Sequence, residues 1–261
     1  MVSTSAGWRA IVSLERGRLV HFGPAGGGRN LLFATADRAD PAGWGGHRLW
    51  LGPQRQWAAI WPPPAAWEHG GAESFTVESG KLRLVLADTG DGWPRLTRTY
   101  HWVGAKLVCG AELAGGTRPA QVIQIFQVPR TAVVEVEAQA EPAGPAGYVL
   151  LPSGATPQLT TEFARPPHVT GTGSLLQLRH RGVILKLGFR PQTIAGRNES
   201  LVLRVGRGTQ TGTAGESPDR GFFSQVYLGG AEPFIELEQL SPMFAAGTGA
   251  SFAVTLEGTA P

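Results

Sequence analysis

The sequence predicts an all-β protein, a sandwich or barrel of antiparallel strands with very little helix. Short runs of alternating apolar and polar residues recur along the chain, and turn residues bound each run. Helical spacing of apolar residues is nearly absent, because the 37 Gly and 20 Pro interrupt it. Many short alternating runs are typical of β-sandwiches and barrels. No strand–helix–strand unit is visible, which excludes Rossmann and TIM-barrel architectures.

Two of the expected elements are hairpins. Residues 73–87 are predicted to turn at Ser79 and Gly80, and residues 95–113 at Gly104, because such residues tolerate the backbone of a tight turn. The remaining runs predict single strands or strand pairs at residues 17–22, 120–128, 132–139, 174–189, 200–206, 222–228, 233–240 and 250–258.

Residues 44–64 form the least regular part of the pattern. This segment holds four of the eight tryptophans together with His47, Arg48 and Arg55, and Pro and Gly interrupt it repeatedly. Long segments without regular structure are uncommon in compact domains and are usually functional. The sequence therefore predicts a site loop here, at the rim of a ligand cleft, with Trp50 partly buried and His47 or Arg48 turned towards the ligand.

Composition limits the classes of function. The apolar fraction is 42% and the charged fraction 16%, which favours a folded core over disorder. The net charge is only +3 and its cations are scattered, so no nucleic-acid partner is expected. No apolar run approaches the roughly 18 residues that span a bilayer, so no membrane partner is expected either. The chain start lacks the pattern of a signal peptide, which leaves the compartment unknown: cytoplasmic, or a mature secreted form.

A single domain covering residues 1–261 is expected, because no low-complexity linker divides the chain. Residues 141–147, the best linker candidate, lie between segments of the same kind. Cys109 is the sole cysteine, so no disulfide forms within the chain, and its alternating surroundings predict an inert core thiol. No phosphate loop, nucleophile elbow or zinc-ligand spacing is visible. We therefore expect neither cofactor nor metal.

The order of several features resembles one known superfamily. A strand and Gly-rich step (residues 14–34) contains Asn-Leu-Leu at 30–32. Gly-Gly-His-Arg-Leu-Trp (45–50) follows it, and the acidic strand Glu-Leu-Glu (236–238) comes late. This order resembles the galactose mutarotase-like superfamily and, most closely, DUF4380, a bacterial domain family of unknown function. The resemblance implies a β-supersandwich of large antiparallel sheets with a carbohydrate cleft on its concave face.

The resemblance to aldose 1-epimerases of this fold implies which residues of this chain are catalytic. In these enzymes a carboxylate takes the proton of the anomeric hydroxyl and a histidine protonates the ring oxygen. Glu238 matches the late-strand base, with Glu236 as the fallback, because residues two apart share a strand face. His69, in a His-Gly pair, matches the proton donor.

Further residues are expected to bind the substrate. Arg48 and Arg55 offer planar forks of donors, and Trp50, Trp57 or Trp61 can stack on a sugar or pack in the core. Lys186 interrupts an apolar strand, and Tyr227 is expected on the strand beside Glu238. His47, Gln124 and Glu236 complete the set.

One departure from the epimerase pattern keeps two functions open. The mid-chain segment at residues 121–129 carries Gln124 and Gln127 where the epimerases have a second histidine. A glutamine side chain hydrogen-bonds a hydroxyl but does not protonate a ring oxygen. The alternatives are a carbohydrate-binding protein with epimerase-type acid–base activity, and a non-catalytic glycan-binding or accessory module.

Overall fold

The computed structural model describes residues 1–35, 44–59, 62–138, 146–151, 168–172, 174–182, 184–190, 192–218 and 221–260. Within these ranges the regular structure is almost entirely strand, as the alternating runs predict. Two short helical turns interrupt it, a 3-10 turn at Gln54–Gln56 and helix α1 at Ala65–Glu68. Among the described helices, none has the length and apolar content needed to cross a bilayer.

The strands are numbered along the chain. They are β1 Val2–Ser5, β2 Trp8–Ser13, β3 Arg18–Pro24, β4 His47–Gly52, β5 Ala72–Glu78, β6 Lys81–Leu86, β7 Arg95–Val103, β8 Lys106–Ala114, β9 Ala120–Pro129, β10 Val133–Glu137, β11 Val149–Leu150, β12 Val169–Thr172, β13 Leu175–Arg179, β14 Leu185–Phe189, β15 Thr193–Asn198, β16 Leu201–Thr211, β17 Ser224–Leu228, β18 Phe234–Phe244 and β19 Ala250–Thr259.

Antiparallel pairing joins these strands into large sheets, which confirms the predicted fold class. One sheet has ten strands in the order β12-β13-β10-β15-β16-β19-β8-β7-β6-β5. A second has six, in the order β11-β14-β17-β18-β9-β4, and β1-β2-β3 form a small third sheet. Non-consecutive neighbours such as β9 and β18 show that the six-stranded sheet is assembled from distant parts of the chain.

The two predicted hairpins are present. Ser79 and Gly80 join β5 to β6 with positive φ angles of 49° and 77°, as a tight hairpin turn requires. Gly104, with φ 58°, lies in the turn between β7 and β8. The run at residues 174–189 differs from expectation: it divides into β13 and β14, which belong to different sheets. Strands β1, β2 and β15 were not anticipated, since their alternation is short and mixed with polar residues.

The segment at residues 44–64 is more regular than the sequence suggested. Its centre is β4, which pairs with β9 from His47 opposite Phe126 to Gly52 opposite Gln121 and forms one edge of the six-stranded sheet. The prediction of an irregular loop is therefore wrong for the strand residues. Trp61 lies outside the described residues, as does most of the candidate linker at residues 141–147.

The core lies between the two large sheets. Burial alternates along β19, so the ten-stranded sheet has one covered and one open face. Strands β9 and β18 are buried almost throughout, so the centre of the six-stranded sheet is covered on both faces. The sheets are in contact across the core: Gly196 of β15 faces Val128 and Leu237, and the side-chain amide of Gln124 donates to the Phe252 carbonyl at 3.1 Å.

Candidate functional site

Four polar side chains lie directly opposite one another across four strands of the six-stranded sheet. Lys186 of β14 is opposite Tyr227 of β17, Tyr227 is opposite Glu236 of β18, and Glu236 is opposite Gln127 of β9. Residues that are directly opposite point to the same face of a sheet. These four residues, called here the polar row, therefore line one face, the face directed away from the ten-stranded sheet.

Glu238 and Arg48 extend this face by one further row. Glu238 is two residues from Glu236 on β18, so both carboxyl groups share the face, as their spacing requires. Ile125 is opposite both Glu238 and Arg48, which brings Arg48 of β4 onto the same side. The face thus carries two glutamates, a lysine and an arginine.

Two adjacent ion pairs organise these charges. Arg48 Nη1 donates to Glu236 Oε1 at 3.1 Å, and Gln127 Nε2 donates to the same oxygen at 2.8 Å. Lys186 Nζ donates to Glu238 Oε2 at 3.0 Å. Both glutamates are buried, whereas the Lys186 side chain is 22% exposed. The lysine end of the row is therefore the part that solvent reaches most easily.

Glu68, at the end of α1, was not anticipated from the sequence. Its Oε1 is 3.1 Å from Arg48 Nε and accepts a hydrogen bond from Arg18 Nη1 at 3.4 Å. Its Oε2 accepts from Trp50 Nε1 at 2.9 Å, and Arg18 Nη2 donates to its backbone carbonyl. The residue is 2% exposed. A lone glutamate beside His69 gives little signal in the sequence, since its partners are 18 or more residues away.

The surroundings of Glu236 favour its protonated form. Burial, the largest cause, raises the pKa of the Glu236 carboxyl above its usual value; Arg48 opposes the rise and the nearby Glu238 adds to it. Burial also raises the pKa of the Tyr227 phenol to about 12, and the carboxylates of Glu232, Glu236 and Glu238 contribute. Tyr227 is therefore a hydrogen-bond donor at neutral pH, and Glu236 keeps its proton to a higher pH than an ordinary glutamate.

His47 and Gln124 lie on the other face of the sheet, and this corrects the expectation that they contact a ligand. His47 is fully buried, stacks on Phe126 at a centroid distance of 4.3 Å, and has Nδ1 3.0 Å from the Tyr100 hydroxyl. Burial and, second, the Arg98 charge hold the pKa of His47 well below its usual value. Gln124 faces the ten-stranded sheet through its bond to Phe252. Neighbouring strand residues alternate faces, so Arg48 and Gln127 occupy the site face instead.

The described tryptophans of the 44–64 segment form packing contacts. Trp50 and Trp57 are buried and meet edge to face at a centroid distance of 5.6 Å. Trp57 donates to the Leu51 carbonyl at 2.7 Å and packs against Trp67, which packs against Trp93. Trp50 shares the face of Arg48, whose guanidinium carbon is 5.6 Å from its ring centroid. Trp50 thus supports the site residues rather than offering an exposed stacking surface.

Arg55 and His69 lie outside the polar row. Arg55 is exposed on the 3-10 turn that follows the Gly52 end of β4, and Gly52 is opposite Gln121, six residues along β9 from Gln127. At about 3.3 Å per strand residue, that is roughly 20 Å from the row. His69 is partly buried, and its ring packs edge-on against Trp44 at 6.0 Å rather than against Glu238. Trp44 in turn lies near the Arg18 guanidinium.

The described residues also limit other chemistry. Within the described ranges, no group of three or more His, Cys, Asp or Glu side chains is placed to hold a metal ion. Cys109 is buried in β8, and burial raises the pKa of its thiol far above the usual value. This thiol has the environment of an inert core residue.

Solved structures with a similar architecture are known. No family model and no curated protein matches the chain. Its structure is similar to a provisionally named aldose 1-epimerase from Escherichia coli K12, with a TM-score of 0.68, 12% identity and coverage of 100% of this chain and 98% of that one. It is also similar to a galactose mutarotase-like protein from Lactobacillus casei, with a TM-score of 0.65, 12% identity and coverage of 99% of both chains.

A galactose mutarotase related enzyme from Lactobacillus acidophilus gives a TM-score of 0.59 at 10% identity, covering 100% of this chain and 97% of that one. Identities this low carry information on the fold alone. The chain therefore has the galactose mutarotase-like fold that its sequence features predict.

Proposed function

We propose that this chain binds a carbohydrate on the face of the six-stranded sheet that carries Arg48, Lys186, Tyr227, Glu236 and Glu238. The neighbours in structure include proteins named as an aldose epimerase and as mutarotase-like. The observation that carries the proposal is the pair of adjacent ion pairs, Arg48–Glu236 and Lys186–Glu238, on one face. We also propose that the chain belongs to the DUF4380 branch of this superfamily.

The chemistry of these side chains suits a polyhydroxyl ligand. A sugar hydroxyl both donates and accepts hydrogen bonds, so it is well matched by alternating carboxylate acceptors and cationic donors. The phenol of Tyr227 adds a donor between them. Arg48 and Gln127 donate to Glu236 Oε1, and Lys186 donates to Glu238 Oε2, so both glutamates act as hydrogen-bond acceptors on this face.

A second candidate function, opening of the sugar ring at the anomeric carbon, is favoured by the two glutamates that share this face. Glu238 as a carboxylate takes the proton of the anomeric hydroxyl, and protonated Glu236 gives its proton to the ring oxygen while the bond from that oxygen to the anomeric carbon breaks. The product is the open-chain aldehyde, and reversal of these steps on either face exchanges the anomers. The raised pKa of Glu236 suits this donor role. His69 is the alternative donor.

Calorimetry with a panel of neutral monosaccharides and uronic acids tests the binding proposal. We expect at least one to bind the wild-type protein and to bind Lys186→Met at least tenfold more weakly. The control is Lys106→Met, because Lys106 also pairs with a glutamate, Glu257 at 3.5 Å, but on the open face of the other sheet. Equal losses in the two variants, or no binding by the wild type, would contradict the proposal.

Polarimetry of freshly dissolved glucose, galactose and galacturonic acid tests the acid–base step. Acceleration of mutarotation by the wild type supports it. Sugar binding without acceleration assigns the chain to the non-catalytic alternative, a glycan-binding or accessory module.

A further inference from the structure

Arg48 is shared between two buried carboxylates that belong to different parts of the fold. Its Nη1 contacts Glu236 Oε1 at 3.1 Å and its Nε contacts Glu68 Oε1, also at 3.1 Å. Glu236 lies on a central strand of the site, whereas Glu68 ends the short helix α1. The positive charge of Arg48 is thus shared between Glu236 on the site face and Glu68 at the end of α1.

Hydrogen bonds from other residues fix the position of Glu68 beside Arg48. Arg18 donates to both its carboxylate and its backbone carbonyl, and Trp50 donates to its second oxygen at 2.9 Å. Arg18 and Glu68 have side chains 0% and 1% exposed. Several donors therefore fix the position of the buried Glu68 carboxylate beside Arg48.

The sharing of Arg48 has a consequence for Glu236. We propose that Glu68 is a positioning residue: it withholds part of the Arg48 charge from Glu236 and thereby helps Glu236 to retain a proton. The effect of Glu68 on ligand binding or catalysis rests on the proposed function. Glu68 itself touches Arg48 and does not lie in the polar row.

Four strands bring charged or titratable groups near Glu236. Beyond the hydrogen bond from Gln127, these groups are Arg48 of β4, Lys186 of β14, Tyr227 of β17 and Glu238 of β18. Arg48 is the strongest opposing charge, and it is the one that Glu68 shares. Removing the Glu68 charge therefore changes the largest favourable interaction of ionised Glu236 and leaves the others in place.

The decisive measurement is a pH titration of the Glu236 carboxyl carbon, followed by NMR. The protein is isotope-labelled at glutamate, and the Glu236 signal is assigned by its loss in Glu236→Gln. In Glu68→Gln we expect the titration midpoint of Glu236 to fall by about one pH unit, as an opposite charge at close range does. Glu68→Asp keeps the charge that Arg18 needs but draws the carboxylate away from Arg48. It should move the midpoint in the same direction by less, and it serves as the test if Glu68→Gln does not fold.

Glu257→Gln is the control, since it removes a glutamate that pairs with Lys106 on the other sheet, and the Glu236 midpoint should stay unchanged. An unchanged midpoint in the Glu68 variants overturns the proposal and leaves Glu68 a packing residue. The titration needs no sugar, so this outcome is separate from the failure of carbohydrate binding. If a sugar does bind, the pH profile of its affinity should shift to lower pH by the same amount in Glu68→Gln.

Discussion

The two large sheets place the same kinds of ion pair in opposite environments. On the open face of the ten-stranded sheet, Arg197 contacts Glu135 at 3.1 Å and Lys106 contacts Glu257 at 3.5 Å, with side chains 41–52% exposed except for Glu135 at 15%. In the six-stranded sheet, Arg48 contacts Glu236 at 3.1 Å and Lys186 contacts Glu238 at 3.0 Å, with glutamates almost fully buried. Similar geometry therefore has unequal consequences, because water screens the first set more strongly than the second.

The largest expected difference between the sheets concerns stability. Arg48→Met leaves Glu68 and Glu236 as buried carboxylates with one cation fewer, and breaking such a pair costs about 3–5 kcal/mol. Arg197→Met removes a matched guanidinium from the open face and should cost about 0–1 kcal/mol. Urea unfolding of both variants measures the contrast. Similar losses would show that burial does not distinguish the two pairs.

The next largest expected effect concerns the role of Glu238 as the catalytic base. Glu238→Gln keeps a hydrogen-bonding side chain but loses the base, so any anomerisation should fall at least about a hundredfold while sugar affinity weakens only modestly. Polarimetry and calorimetry on one preparation separate the two effects. An active Glu238→Gln protein would remove Glu238 from the mechanism and identify Glu236 as the base.

A smaller effect is expected from the buried histidine between the sheets. The pKa of His47 is lowered in the folded state, so the unfolded chain takes up a proton near pH 6.5 and the folded chain does not. The stability that neutral His47 contributes is present above about pH 6.5 and is lost as pH falls below it. Between pH 6 and 5, the free energy of unfolding of the wild type should therefore fall by up to about 1.4 kcal/mol per pH unit more than that of His47→Gln. Parallel stability curves in this range would contradict the assignment.

The smallest expected effect is at Arg55. Its exposed position on the 3-10 turn predicts that Arg55→Ala changes stability by less than about 0.5 kcal/mol and leaves sugar affinity unchanged. Calorimetry beside Arg48→Met makes the comparison. A loss of affinity on Arg55→Ala would extend the binding surface to that end of β4.

The sequence was a good guide to the ten-stranded sheet and a weaker one to the six-stranded sheet. One open face leaves a clear alternation, as in β6 and β19, and the hairpin at Ser79 and Gly80 follows from it. Strands β9 and β18 are buried on both faces. Their apolar and polar residues therefore do not alternate clearly, and the sequence does not indicate which side chains point towards the site.

Which of the predicted site residues share the face of Glu236 also follows from strand periodicity. The spacing of Glu236 and Glu238 fixes their common face, and Lys186 interrupts an apolar strand, so these residues could be found from sequence. His47 and Arg48 are adjacent and cannot share a face, and Gln124 and Gln127 are an odd number apart. Without the register, the sequence left His47 and Arg48 as alternatives, and it selected Gln124 rather than Gln127 for the site. Glu68 depends on contacts between distant segments and left no periodic signal.

The alternation of Glu236, Leu237 and Glu238 along β18 also affects the register in which this strand pairs with its neighbours. If β18 slipped by one residue against β9 and β17, Leu237 would turn outward and both carboxyl groups would enter the dry layer beside Gly196 and Val128. Each uncompensated carboxylate there would cost several kcal/mol. The residues proposed to bind a ligand therefore also penalise the misaligned pairing of strands that lie more than a hundred residues apart in the chain. Replacing both glutamates with leucine should lower the yield of correctly paired protein, even where it makes the core more apolar.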